Sequence, residues 1–90
     1  MLRFEERWIG EERTGAPLVI ALHPWGSSGR SMLRLMERVG FDRPVRVIAP
    51  DGPFPYGSGR AWLSRTISEH DDDALAREAS DAAARVAALV

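Results

Sequence analysis

The feature that most constrains the fold is an uninterrupted apolar run, LVIAL at residues 18–22, which lies between Pro17 and the pair His23-Pro24. Five consecutive apolar residues bounded in this way fit a strand that is buried on both faces. Such strands are typical of parallel sheets that are covered by helices. The run therefore predicts an α/β architecture with this strand in its interior.

The segments around this run predict the remaining elements. Residues 1–9 alternate imperfectly between apolar and charged side chains, which favours a half-exposed edge strand with Leu2, Phe4 and Trp8 facing inward. A helix is expected to start between Ser28 and Ser31 and to stop at Gly40. Its inner stripe is predicted at i, i+3, i+4 and i+7, namely Met32, Leu35, Met36 and Val39.

The second half of the chain predicts a strand, a loop and a helix. Residues 45–49 form the strand, and a loop of about ten residues rich in proline follows it. The last helix runs from Asp71 or Asp72 to Val90. Its predicted inner positions are Leu75, Ala79, Ala82, Val86 and Leu89, and its predicted outer positions are Arg77, Glu78, Asp81 and Arg85, with Asp81 and Arg85 as an i, i+4 pair.

Composition excludes several classes of protein. Cysteine is absent, so the chain has neither disulfides nor a thiolate metal site. The net charge of −1 gives no broad electropositive face for nucleic acid. The N-terminus is charged where a signal peptide needs an apolar stretch, and no apolar run is long enough to span a membrane. We therefore expect a cytoplasmic protein with no nucleic-acid partner, no membrane span and no cofactor.

The segment from Leu22 to Ser31 is the best candidate for a functional loop. It is a glycine-bearing turn between the carboxyl end of a predicted strand and the start of a predicted helix, the place where α/β sheets bind ligands. Backbone N–H groups in such a turn either stabilise a developing oxyanion or hold a phosphate group. Both interpretations stay open from the spacing alone.

Two motifs in order carry a family resemblance. LVIALHPWGSSG at residues 18–29 resembles the strand and LHGxGxxG signature of α/β-hydrolase serine esterases of the carboxylesterase, phospholipase and acyl-protein thioesterase type. VIAPDGP at residues 47–53, followed by GRAW at residues 59–62, is similar to the AP-x-GP … G-x-x-W segment of that family. The two motifs occur in the order, and on the predicted elements, that the family has.

The resemblance implies roles for particular residues. Trp25 matches the position whose backbone N–H is the first oxyanion-hole donor, and its side chain would line the substrate pocket together with Phe54, Tyr56 and Trp62. His23 matches a structural histidine, and Gly26 and Gly29 match loop glycines. Pro24 stands where the family has glycine, so the turn must suit a residue without an N–H. The implied substrate is a small ester, thioester or lysophospholipid.

The catalytic triad of the family is absent from the chain. It needs a G-x-S-x-G nucleophile elbow, then an Asp and a His, and this sequence has no G-x-S-x-G. The expected fold is therefore a partial α/β-hydrolase sheet (strand, strand, helix, strand, loop, helix) that ends before the nucleophile strand, with residues 1–90 as a single incomplete domain. We expect it to be inactive alone, and to associate with a C-terminal half or with itself through its open sheet edge.

The same residues allow alternative interpretations. Residues 24–31 have the spacing of a G-x-x-x-x-G-K-[ST] phosphate loop, with Asp51 as a metal-coordinating carboxylate, although Pro24 and Arg30 depart from that motif. A non-catalytic interaction remnant is a third candidate. The acidic run at residues 69–73, which includes His70, is interpreted as a helix cap rather than a metal site. Trp25 and Trp62 could equally cover the hydrophobic core.

Overall fold

A computed structural model describes residues 2–64 and 72–90. Over these residues the fold is a mixed α/β arrangement with two helices and with five strands in two small sheets. The elements in chain order are β1 (Phe4–Ile9), β2 (Leu18–Ile20), α1 (Gly29–Val39), β3 (Val45–Pro50), β4 (Phe54–Tyr56), β5 (Gly59–Ala61) and α2 (Asp72–Ala87).

The larger sheet has the strand order β1-β3-β2. β1 runs antiparallel to β3, with Phe4 opposite Pro50, and β2 runs parallel to β3, with Ile20 opposite Ile48. The interior strand is therefore β3, whose Val47 is fully buried.

The prediction that residues 18–22 are buried on both faces is wrong. β2 lies at one edge of the sheet, and Leu18 and Leu22 are 38% and 50% exposed. An apolar run is buried on both faces only when other elements cover both faces of its sheet. In the described part of the chain β2 is an edge strand, where such cover is incomplete.

Helix α1 forms where the sequence predicts it. Ser28 is the N-cap, and its Oγ accepts a hydrogen bond from the Ser31 N–H at 3.1 Å. Gly40 ends the helix at a φ of 71°, and its N–H donates to the Met36 carbonyl.

The inner face of α1 differs from the predicted stripe. Leu33 is buried at 3% exposure, and Met32 and Met36 pack on the core with it. Leu35 and Val39, which the periodicity predicts to face inward, are exposed. The inner stripe therefore keeps Met32 and Met36 of the predicted set, and Gly29 and Leu33 take the places predicted for Leu35 and Val39.

The prediction of a loop after β3 is wrong. The segment contains the hairpin β4–β5, in which Phe54 pairs with Ala61 and Tyr56 pairs with Gly59. Gly57 has a φ of 57° in the two-residue connection, a conformation that favours glycine in tight hairpins. The sequence does not predict this hairpin because the prolines around β4 are disfavoured in strands.

Helix α2 has no fully buried residue among those described. Of its predicted inner positions, Leu75, Ala82, Val86 and Leu89 are half-buried, and Ala79 is exposed, so the prediction for Ala79 is wrong. The predicted Asp81–Arg85 pair is present at 3.2 Å. Glu78 is predicted to face outward, but its carboxylate accepts hydrogen bonds from the Ser64 N–H and hydroxyl, which holds that side chain toward the body of the protein. Neither helix in the described ranges is long and apolar enough to cross a membrane.

Candidate functional site

The turn at residues 24–27 lies at the carboxyl end of β2. The Ala21 N–H donates to the Ile48 carbonyl at 2.9 Å, so pairing with β3 continues just past β2. The Ser27 N–H then donates to the Pro24 carbonyl at 3.1 Å and closes the turn. Gly26 has a φ of 83° at the third position, as a type II turn requires. Proline fits the first position because its carbonyl, not an N–H, closes the turn.

The backbone N–H of Trp25 is unpartnered within the described part of the chain. It follows Pro24 in the turn. Trp25 is itself 37% exposed. An N–H at the second position of a turn points away from the ring that the turn closes, so this donor faces outward at the end of β2.

The hairpin β4–β5 holds this turn in place. The Gly26 N–H donates to the Arg60 carbonyl at 2.9 Å, and the Arg60 N–H donates to the Ser27 carbonyl at 2.8 Å. The backbones approach so closely that a Cβ on Gly59 would lie 2.0 Å from the Gly26 carbonyl oxygen. The two segments are therefore joined directly, backbone to backbone.

His23 is a buried structural residue, 3% exposed. Its Nε2 accepts a hydrogen bond from the Gly52 N–H at 2.9 Å, so the proton is assigned to Nδ1, which donates to the Pro24 carbonyl at 2.7 Å. Its ring stacks on Trp62 at 5.1 Å between centroids, and the Trp62 Nε1–H donates to the His23 carbonyl at 3.0 Å. With both ring nitrogens occupied, His23 orients the loop and has no free nitrogen for base catalysis.

Asp51 joins three parts of the fold. Its Oδ1 accepts from the Gly29 N–H at the start of α1, and its Oδ2 accepts from Arg3 Nη1, both at 2.7 Å. Burial by itself raises the pKa of Asp51, but the hydrogen bond from Gly29 and the charge of Arg3 outweigh burial and lower that pKa below its ordinary value.

The sequence motifs include Asp51, but they do not predict its contacts with Gly29 and Arg3. A carboxylate directly after a strand, with a helix N-terminus expected nearby, is the signal available for the contact with Gly29.

The four aromatic residues predicted to line one pocket fall into separate groups. Trp25 contacts Tyr56 edge to face, with centroids 5.6 Å apart, and Phe54 is half-buried in β4. Trp62 instead lines an apolar cleft of about 490 Å³ between the end of β2 and α2. Its other walls include Ile20, Leu22, Ala79, Ala82 and Val86.

The start of α1 is poorly suited to bind phosphate. The N–H groups of Gly29 and Ser31 are already occupied by the side chains of Asp51 and Ser28. Arg30 is exposed and lines a different cleft, beside Glu5 and Glu37. A phosphate would have to displace the bond between Asp51 and Gly29, so the turn around Trp25 is the better candidate site.

Metal ligands do not cluster in the described ranges, where no three His, Asp or Glu side chains come together. Residues 69–71 of the acidic run lie outside those ranges.

No family model, no curated protein and no solved structure matches the chain. The functional interpretation therefore rests on the geometry and on the two sequence motifs.

Proposed function

We propose that this chain is the N-terminal part of a serine hydrolase that cleaves carboxylic esters, thioesters or lysophospholipids. Its contribution is the oxyanion-binding loop. The observation that carries the proposal is the Trp25 N–H, which is unpartnered in the described structure and is held by a braced turn at the carboxyl end of β2. A preorganised backbone donor in such a position stabilises the negative oxygen of a tetrahedral acyl intermediate.

The edge of β2 supports the same proposal. β2 pairs with β3 on one side, and no described strand pairs with its other side. The apolar cleft beside it is walled on α2 by alanines, which leave room for a backbone to approach. A strand that added there in parallel would end beside Trp25, and a nucleophile at its end would face the Trp25 N–H.

The chemistry divides between this chain and the part that carries the nucleophile. A serine would attack the acyl carbonyl, and a His–Asp pair would move the proton. Trp25 would donate one hydrogen bond to the oxyanion, and the residue after the serine would donate another. Of these groups, residues 1–90 supply the Trp25 donor alone, so we expect no hydrolysis without the rest.

Labelling with a fluorophosphonate probe tests this division. The 90-residue chain should form no stoichiometric adduct and should not hydrolyse an activated ester above background. An intact-mass shift on a single serine, together with turnover, would contradict the proposal. Saturable ATP or GTP binding that is lost in Arg30→Ala would instead support the phosphate loop.

A further inference from the structure

Helix α1 presents a row of arginines to solvent. Arg30, Arg34 and Arg38 are all exposed and are spaced four residues apart, so they lie on one side of the helix over about 12 Å. The opposite side, which contains Met32 and Met36, packs against the core. We call these three residues the arginine row.

Two acidic side chains, Glu5 and Glu37, line the same cleft as Arg30 and Arg34 of the arginine row. None of its three members forms an ion pair within residues 2–64 and 72–90. Glu37, the acidic residue of α1, pairs with Arg7 at 3.1 Å, and nearby Glu5 pairs with Arg3 at 2.9 Å. Three positive charges are therefore available to an external anion.

Exposed apolar side chains lie beside the arginine row. Leu35 and Val39 are four residues apart and therefore share one side of α1, and they are 45% and 68% exposed. Phe41, just after the helix, is 39% exposed. A surface that combines a cationic row with an adjacent apolar strip can contact the anionic groups and the apolar groups of one partner at the same time.

We propose that α1 binds the surface of a bilayer that contains anionic lipids. The arginine row would meet the headgroup phosphates and carboxylates, and Leu35, Val39 and Phe41 would enter the boundary between headgroups and acyl chains. A bilayer with anionic lipids offers both components over one continuous surface, and a purely polyanionic partner offers only the charge. The helix lies on the bilayer and does not cross it.

Vesicle flotation of the 90-residue chain tests this proposal, because self-associated chain without lipid stays at the bottom of the gradient. The chain should bind vesicles of phosphatidylcholine with about 30% phosphatidylserine, and should not bind phosphatidylcholine alone. Arg34→Gln with Arg38→Gln should weaken partitioning by about 25-fold. The control pair Arg13→Gln with Arg77→Gln removes the same charge from other exposed sites and should leave partitioning within about twofold.

The apolar strip separates a lipid surface from a soluble polyanion. Leu35→Gln with Val39→Gln should weaken vesicle binding by about tenfold and leave binding to polyglutamate unchanged. All of these residues are exposed, and circular dichroism melts should confirm that each variant stays folded.

Four results would overturn the proposal: no binding to anionic vesicles, equal binding to neutral vesicles, equal loss in the Arg13 and Arg77 control, or no effect of the Leu35 and Val39 changes.

Discussion

The Gly29 N–H donates to Asp51 Oδ1 at 2.7 Å, and this bond fastens the first turn of α1 to the end of β3. The same carboxylate accepts from Arg3, next to β1. Because Asp51 is buried, these bonds hold together the elements from which the candidate loop projects.

Asp51→Asn should lower the free energy of unfolding by about 1–3 kcal/mol at neutral pH. The folded-state pKa of Asp51 lies below its unfolded value, so its stabilisation is present above about pH 4 and is lost as the pH falls through the folded-state pKa. Urea unfolding as a function of pH measures this.

A suitable control for Asp51 is Asp42→Asn. The Asp42 side chain is 90% exposed and lies 3.8 Å from Arg43. Its replacement should change stability by less than about 0.5 kcal/mol. Equal losses at the two positions would show that the Asp51 contacts contribute nothing specific.

Gly59→Ala should detach the hairpin from the candidate loop. A methyl group there would meet the Gly26 carbonyl at 2.0 Å, and backbone on both sides leaves no side chain to move away. We expect a loss of about 3 kcal/mol or more in the free energy of unfolding, measured by urea unfolding. Gly57→Ala, in the same hairpin, has open space but a φ of 57° and should cost only about 1 kcal/mol.

Trp25→Pro deletes the proposed donor in a complete enzyme. It should lower kcat by about 10²–10³, because one oxyanion hydrogen bond is lost while the nucleophile stays in place. Trp25→Phe keeps the N–H and should have a much smaller effect. Equal losses of kcat in both variants would assign the role to the indole side chain and not to the backbone.

The open edge of β2 should make the isolated chain self-associate or pack loosely. Leu18 and Leu22 are exposed apolar residues at this edge, and such edges recruit further strands. Leu22→Lys should shift sedimentation toward monomer, whereas Val39→Lys, at an exposed position on α1, should not. A monomer with a sharp cooperative melt in the unaltered chain would contradict this expectation.

The features of this fold that depend on residues close in the sequence are predicted better than those that depend on contacts between distant residues. Ser28 and Gly40 mark the ends of α1 because capping depends on residues within one turn. The exposure of Leu18 and Leu22 depends on which elements lie beside β2. The partners of Asp51 are also distant in the sequence, since Gly29 lies 22 positions and Arg3 lies 48 positions before it. A single sequence carries little information about such partners.

In the candidate site, too, the features set by neighbouring residues are predicted and those set by distant residues are not. The motif around Trp25 predicts where the candidate turn lies, but not that the backbone of Arg60 holds it, because the sequence does not predict the hairpin that contains Arg60. The grouping of Trp25 with Tyr56 and of His23 with Trp62 likewise depends on the fold of that segment.

The coding sequence beyond the codon for Val90 tests the central claim most directly. If this chain supplies the oxyanion loop of a serine hydrolase, a short connection and a buried strand should follow α2, and a G-x-S-x-G should be encoded within about 20 residues of Val90. It should lie in the same frame, in a shifted frame or in an adjacent gene, with an Asp and then a His further on. A stop codon at that point with no such motif in any nearby frame would contradict the claim.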